Sequence, residues 1–275
     1  HFKTWLDHSS NVLIMGILNI TPDSFSDGGR YIDSNNALNH ALKMIDMGAD
    51  IIDVGGESTR PGSDPVSKED ECQRIIPVIE AIKKINSEIL ISVDTYKSFV
   101  AKRAIDAGAD IVNDISGLTF DHKMLSVLLE NNVPVIIMHI NGHPKTMQNN
   151  PSYNDLIKDI SDFLLKQAKF AEINGIKKSN IILDPGIGFG KSFEHNFSLI
   201  RRLNEISDLG YPLMIGPSRK AFIGNALELP PEDRIEGTLA TVIVSIMNGA
   251  NIIRVHDVKE TKRAVIITER ILGSV

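Results

Sequence analysis

The chain holds 275 residues, 42% of them apolar and 23% charged, with 20 Gly, 12 Pro and a single Cys, which is the make-up of a globular protein and not of a disordered or collagen-like one. Its 29 basic and 35 acidic side chains leave a net charge of −6. The chain as a whole therefore has no attraction for nucleic acid or an anionic membrane, and local cations must hold any anionic ligand. No run approaches the ~18 consecutive apolar residues of a membrane span, and the stretch from His1 to Trp5 lacks the form of a secretory leader. The lone Cys72 leaves no intrachain disulfide and no Cys-based metal cluster, which suits a reducing cytoplasm.

Read from the N-terminus, eight short apolar runs follow one another: Val12–Leu18, Ile51–Val54, Ile89–Val93, Asp110–Asn113, Val133–Met138, Ile181–Leu183, Pro212–Ile215 and Asn251–Val255. Helical patterns with apolar residues at three- and four-residue spacing lie between them, among them Asn35–Met47, Lys68–Ile85, Ser98–Ala107, Asp155–Asn174, Phe197–Leu209 and Ile235–Asn248. One phrase recurs: Met47-Gly-Ala-Asp-Ile-Ile-Asp53, Ala107-Gly-Ala-Asp-Ile-Val-Asn113 and Asn248-Gly-Ala-Asn-Ile-Ile-Arg254. A Gly with φ > 0 closes a helix there, and the β-branched run after it reads as a strand covered on both faces. Repeated helix-to-strand units without a linker-like break predict an α/β protein, a single (β/α)8 TIM barrel over residues 1–275. A doubly wound open sheet is the alternative.

A barrel of this kind does its chemistry at the C-terminal ends of the strands. In order, those ends carry Asn19, Asp53 with Glu57, Asp94, Asn113 with Asp114, His139, Asp184, Ser218-Arg219-Lys220, and Arg254 with His256. Any one of them can simply cap the next helix, but the whole set converging on one mouth points to a ligand. Asp94, Asn113 and Asp184 suit the edge of a flat heterocycle with adjacent ring N–H and amino groups, whereas Arg60, Lys220, Arg254 and His256 favour an anion. No pair of His has the spacing of a metal cage, which leaves open a Mg²⁺ bridging substrate phosphates to an oxygen such as that of Asn19.

Pro185-Gly-Ile-Gly-Phe-Gly-Lys191-Ser192 nearly matches a phosphate-binding P-loop, but Pro185 stands where the first Gly is required, so a tight loop over the mouth is expected. Lys220 is open to a Schiff-base role if buried and neutral, although its neighbours suit anion or ring contacts better. The Gly- and Ser-rich loops Thr21–Ile32 and Gly55–Val66 are long for strand-to-helix connections and read as lids.

The motifs resemble those of the dihydropteroate synthases: Leu18-Asn-Ile-Thr-Pro-Asp-Ser-Phe-Ser-Asp-Gly-Gly29, Ile52-Asp-Val-Gly-Gly-Glu-Ser-Thr-Arg-Pro-Gly62, Ser92-Val-Asp-Thr-Tyr96, Val112-Asn-Asp-Ile115, Leu183-Asp-Pro-Gly-Ile-Gly-Phe-Gly-Lys191, Gly216-Pro-Ser-Arg-Lys220 and Arg254-Val-His-Asp257. They run in family order along nearly the whole chain; Met138-His-Ile-Asn-Gly142 departs from the family's pattern. The resemblance implies condensation of 6-hydroxymethyl-7,8-dihydropterin pyrophosphate with 4-aminobenzoate. It also implies pterin contacts from Asp94, Asn113, Asp184 and Lys220, and a pyrophosphate and Mg²⁺ site from Asn19, Thr59, Arg254 and His256. Arg60, Pro61 and Ser218 would shape the aminobenzoate site, with further substrate contacts from Ile115, Met138, Gly188, Phe189 and Arg219. The rival reading is a pterin-binding methyltransferase barrel that uses methyltetrahydrofolate. The uncharged stripe Thr238, Thr241, Ser245 and Asn248 is expected to be covered by a second subunit of a homodimer, as the resemblance also suggests.

Overall fold

A computed structural model describes residues 11–21, 30–59 and 62–273. Its strands are β1 (Leu13–Asn19), β2 (Ile51–Gly55), β3 (Leu90–Asp94), β4 (Ile111–Asp114), β5 (Val135–Met138), β6 (Ile181–Asp184), β7 (Met214–Ile215) and β8 (Ile252–Val255). The α-helices among the described residues are α1 (Arg30–Asp46), α2 (Lys68–Ile85), α3 (Ser98–Asp106), α4 (Met124–Asn131), α5 (Leu156–Ile173), α6 (Phe193–Arg201), α7 (Leu203–Ser207), α8 (Ala221–Leu227), α9 (Ile235–Met247) and α10 (Val258–Leu272). All neighbouring strands run parallel in the order β6-β5-β4-β3-β2-β1-β8-β7, and a parallel bridge between Leu183 and Leu213 joins the two ends. Sequential order with closure makes this a (β/α)8 barrel and rules out the doubly wound sheet. No helix among the described residues is long and apolar enough to cross a membrane.

The repeated Gly-Ala-Asp/Asn phrase has a physical task. Gly48, Gly108 and Gly249 take φ of 97°, 113° and 98°, the left-handed turn that ends each helix. The acidic or amide residue that follows then braces the neighbouring strand: Asp50 Oδ2 accepts from Ile14 N (2.8 Å), Asp110 Oδ2 from Ile91 N (2.8 Å) and Asn251 Oδ1 from Leu213 N (2.9 Å).

Because side chains alternate along a strand, one set fills the barrel and the other meets the helices. The interior set is Leu13, Met15, Ile51, Ile111, Ile136, Ile182, Met214 and Ile252; the larger apolar layer, including Ile14, Ile52, Ile91, Val112 and Ile253, lies between sheet and helices.

Two helices depart from their apolar periodicity. Helix α1 begins at Arg30, ahead of the expected Asn35, because the polar run Asp33–Asn36 hides its first turns; the preceding loop is correspondingly shorter. The predicted Phe197–Leu209 helix is two helices, α6 and α7, and α6 starts at Phe193 behind a capping box in which His195 takes the usual Glu or Gln place opposite Ser192.

The stripe on α9 is corrected. Thr238 and Ser245 are fully buried within the chain itself. The Thr241 and Ser245 hydroxyls donate to carbonyls of their own helix, and Asn248 donates to Ile200 O. Half of the stripe, Thr238 and Ser245, packs inside the chain, while Thr241 and Asn248 are half-buried. The exposed side of α9 is instead apolar, with Val244 41% and Met247 61% accessible.

Candidate active site

The same alternation places the functional side chains. Asp53 follows inward-facing Ile51, Asn113 follows Ile111, Met138 follows Ile136, Asp184 follows Ile182 and Arg254 follows Ile252, each by two residues. Register sets them side by side: Asp94 pairs with Asn113 on β3 and β4, and Met138 with Asp184 on β5 and β6. The result is a cleft of about 340 Å³, partly open to solvent, lined by Thr59, Asp94, Asn113, Ile115, Met138, Asp184, Ile187, Phe189, Gly216, Lys220 and Arg254.

Beneath the cleft lies a buried charge network. Arg254 donates from Nε to Asp53 Oδ2 (2.6 Å) and from Nη2 to Asp94 Oδ2 (2.9 Å), and Asn113 Nδ2 donates to Asp53 Oδ2 (3.2 Å). The Nη1 hydrogens of Arg254 have no partner among the described residues and remain for an anion. On the other oxygens the account is incomplete: Asp53 Oδ1, Asp94 Oδ1 and Asn113 Oδ1 are buried acceptors with no hydrogen-bond partner among the described residues. Unpaired buried acceptors are costly and uncommon. A cluster of them calls for a ligand that brings N–H groups.

Burial pushes the Asp94 carboxyl above its usual range, against the pull of Arg254. Burial also raises Asp184 to about 6, although Asp184 Oδ1 accepts from Gly186 N (2.7 Å) and Lys220 is nearby. Lys220, lowered to about 8 by burial and Arg254, sits 4.2 Å from the Phe189 ring centroid, a cation–π contact on the cleft wall.

His256 is neutral at pH 7, since burial and the adjacent Arg254 lower it to about 3. Its Nδ1 lies 3.0 Å from Ser218 Oγ, which also accepts from His256 N. With Ser218 donating to Nδ1, the ring proton is assigned to Nε2, so His256 offers an anion an N–H and not a charge. The Arg219 guanidinium turns to Asp257, donating from Nε and Nη2, and it does not line the cleft. Its backbone is left-handed, φ 57°, and is held by Thr238 Oγ1 and Arg234.

The loop that resembled a P-loop is tied down by contacts to its own neighbours. Gly188 N donates to Asn196, Gly188 O accepts from Gln148, Gly190 O from Tyr153 and Phe189 O from Lys191. Lys191 is buried, lowered by burial to about 7, and lies 3.0 Å from His139 Nδ1. Gly186 (φ 71°) is required, because a Cβ there would come 2.0 Å from His139 O. The loop thus packs on the end of β5 and presents Gly188 and Phe189 beside Lys220.

Asn19 ends β1 on the rim, where its Oδ1 and the Asp94 side chain flank Gly55. Arg60 and Pro61 lie outside the described residues, as does most of the expected lid Thr21–Ile32. Asp114 and His139, expected at the mouth, face away from it because each directly follows an inward residue. Asp114 caps a turn through Ser116 and Leu118, and His139 is buried against Lys191 and Phe163. Asp53 was legible as a strand end but not as the anchor of Arg254, whose partnership spans 201 positions.

The family of pterin binding enzymes matches residues 15–256. Dihydropteroate synthase of Bacillus subtilis (strain 168) is 52% identical over 258 residues, covering 94% of this chain and 88% of that protein. Among solved structures, dihydropteroate synthase of Clostridium difficile in the presence of pteroic acid aligns with a TM-score of 0.91 at 47% identity, over 96% of this chain and 98% of that one. The Xanthomonas albilineans dihydropteroate synthase with 4-aminobenzoic acid aligns with a TM-score of 0.90 at 38% identity, over 96% and 94% of the two chains.

Proposed function

The chain belongs to the pterin binding enzymes and, within them, to the dihydropteroate synthases, and from that premise we propose how its strand ends carry out the reaction. It condenses 6-hydroxymethyl-7,8-dihydropterin pyrophosphate with 4-aminobenzoate, giving 7,8-dihydropteroate and pyrophosphate. The methyltransferase alternative is not favoured by these relatives.

The reading of the site rests above all on the buried acceptors Asp94 Oδ1 and Asn113 Oδ1, which lack donors in a cleft that also holds Lys220 and Arg254. A dihydropterin edge brings the missing N–H groups, with its 2-amino group and ring N–H paired to the Asp184 carboxylate. Ile115, Met138 and Phe189 supply apolar walls for the ring. Pyrophosphate then meets the unpaired N–H groups of Arg254, the Lys220 ammonium and the His256 Nε2–H.

No general base is required, because an aniline nitrogen is already unprotonated at pH 7. The difficult event is loss of pyrophosphate from the pterin methylene carbon, and fixed donors placed where that charge develops are worth about 3–4 kcal/mol each. The electron-rich dihydropterin delocalises the positive charge left on the methylene, which favours a dissociative path. Asn19 offers a single amide oxygen, and no group of three or more His, Cys, Asp or Glu among the described residues forms a metal cage. That donor set fits Mg²⁺ that keeps its waters and rides on the substrate phosphates; when bound, the ion neutralises charge on the leaving group.

Aminobenzoate is assigned to Arg60, Pro61 and Ser218, a site completed once pyrophosphate and Mg²⁺ are in place beside Asn19 and Thr59. The chain pairs as a homodimer through the apolar face of α9 and α10, where Val244, Met247, Ile266, Ile267 and Ile271 are exposed on two helices packed together. The test of function is direct: purified protein supplied with both substrates and Mg²⁺ yields dihydropteroate on chromatography. Absence of that product at micromolar enzyme rejects the reading.

A further inference from the structure

The amide of Asn113 can face the cleft in two ways, and the two read opposite ligands. With Oδ1 offered, Asn113 accepts an N–H; with Nδ2 offered, it donates to a lone pair. The two ends of an amide are nearly equal in size, so packing alone does not choose between them, and the choice falls to the hydrogen-bond partner behind the amide.

That partner is Asp53. It stands on β2 and Asn113 on β4, on either side of β3, and both side chains are buried. Asn113 Nδ2 donates to Asp53 Oδ2 (3.2 Å), the same oxygen that accepts from Arg254 Nε (2.6 Å). A carboxylate paired with a guanidinium carries lone pairs and no hydrogen, so it can only accept. Turned over, Asn113 would set Oδ1 against Asp53 Oδ2 with no hydrogen between them. The carboxylate thus holds Nδ2 behind, and the other end of the amide, Oδ1, is one of the buried acceptors without a partner among the described residues, as is Asp94 Oδ1. Asn113, Asp94 and Arg254 line the cleft, whereas Asp53 does not. Asp53 therefore acts on a ligand through its neighbours.

We propose that Asp53 is a positioning residue for the pterin: by accepting from Asn113 Nδ2 it fixes the amide with Oδ1 as the end offered to the ligand, so that this part of the cleft takes an N–H donor and rejects a ring lone pair. The proposal rests on the pterin reading of the cleft.

The test is a double-mutant cycle on the full chain, read by calorimetric titration of 6-hydroxymethyl-7,8-dihydropterin, which carries no pyrophosphate. Asp53→Asn keeps the shape of the side chain but brings an N–H₂ of its own, so the Asn113 amide is free to turn over, and dihydropterin binding weakens about tenfold. In the Asn113→Leu background no amide is left to orient, and the same Asp53→Asn change alters the affinity by less than about twofold. Equal losses in the two backgrounds would place the effect on Arg254 or on a general loosening of the barrel, and that result overturns the proposal, as does no loss in either. Asn113→Leu alone weakens dihydropterin binding about tenfold, which keeps the test open if Asp53→Asn does not fold; unchanged affinity in that variant overturns the proposal. Failure of the wild-type chain to bind dihydropterin at all refutes the pterin reading itself, a result distinct from equal losses.

Discussion

Asp184 divides its carboxylate between fold and substrate: Oδ1 accepts from Gly186 N, and the group as a whole faces the cleft. Asn at this position keeps an acceptor for Gly186 but offers an N–H₂ where the pterin needs a second acceptor. Asp184→Asn is therefore expected to weaken pterin binding by about 2–4 kcal/mol, measured by calorimetric titration. Its stability goes the other way. The folded carboxyl is raised to about 6, so its contribution is full below the unfolded value and is lost as pH rises through 6. At pH 7 the variant should melt no lower than the wild type, and the difference should close as pH falls toward 4. Pterin affinity of the wild type runs opposite, falling as pH drops through about 6, because the protonated carboxyl can no longer accept two donors. Asp94, Asn113, Asp184 and Arg254 were readable from the sequence because each is a polar residue at the end of an apolar run. Asp114 and His139 were misplaced by the same rule, which marks the end of a strand without saying which face the last residues take.

At the scale of elements, all eight strands were legible to within about two residues, because β-branched runs bounded by Gly are a local signal. The side-chain brace within the Gly-Ala-Asp/Asn phrase was not, since its acceptors serve the neighbouring strand. Asp50→Ala should cost about 1–3 kcal/mol in urea melts by leaving Ile14 N without its partner. Asp50→Asn should keep most of that stability, as Asn251 does the same work on β7. Equal losses in the two variants would show that the brace is not what matters. The connection between β2 and α2 carries a different expectation: aminobenzoate should bind weakly to the protein alone and tightly once pyrophosphate and Mg²⁺ are present. Calorimetry giving one affinity under both conditions would contradict it.

For the molecule as a whole, barrel closure gathers residues from opposite ends of the sequence, such as Asp53 and Arg254, into one network, which periodicity cannot foresee. Closure also leaves α9 and α10 with an apolar outer side. Met247→Glu should convert the proposed dimer to a monomer by light scattering at micromolar concentration, and a wild-type monomer would refute the pairing. The cleft joins buried acceptors for a heterocycle to donors for its leaving group, and the proposed order of events, in which these donors draw pyrophosphate away before the amine attacks, follows from that pairing. It can be tested without aminobenzoate, by placing ¹⁸O between the pterin methylene and the first phosphorus and following the label with enzyme and Mg²⁺ present. Migration of the label into non-bridging positions of recovered substrate is the expected result. Retention of all label in the bridge, under conditions where adding aminobenzoate gives rapid turnover, would contradict departure of pyrophosphate ahead of attack.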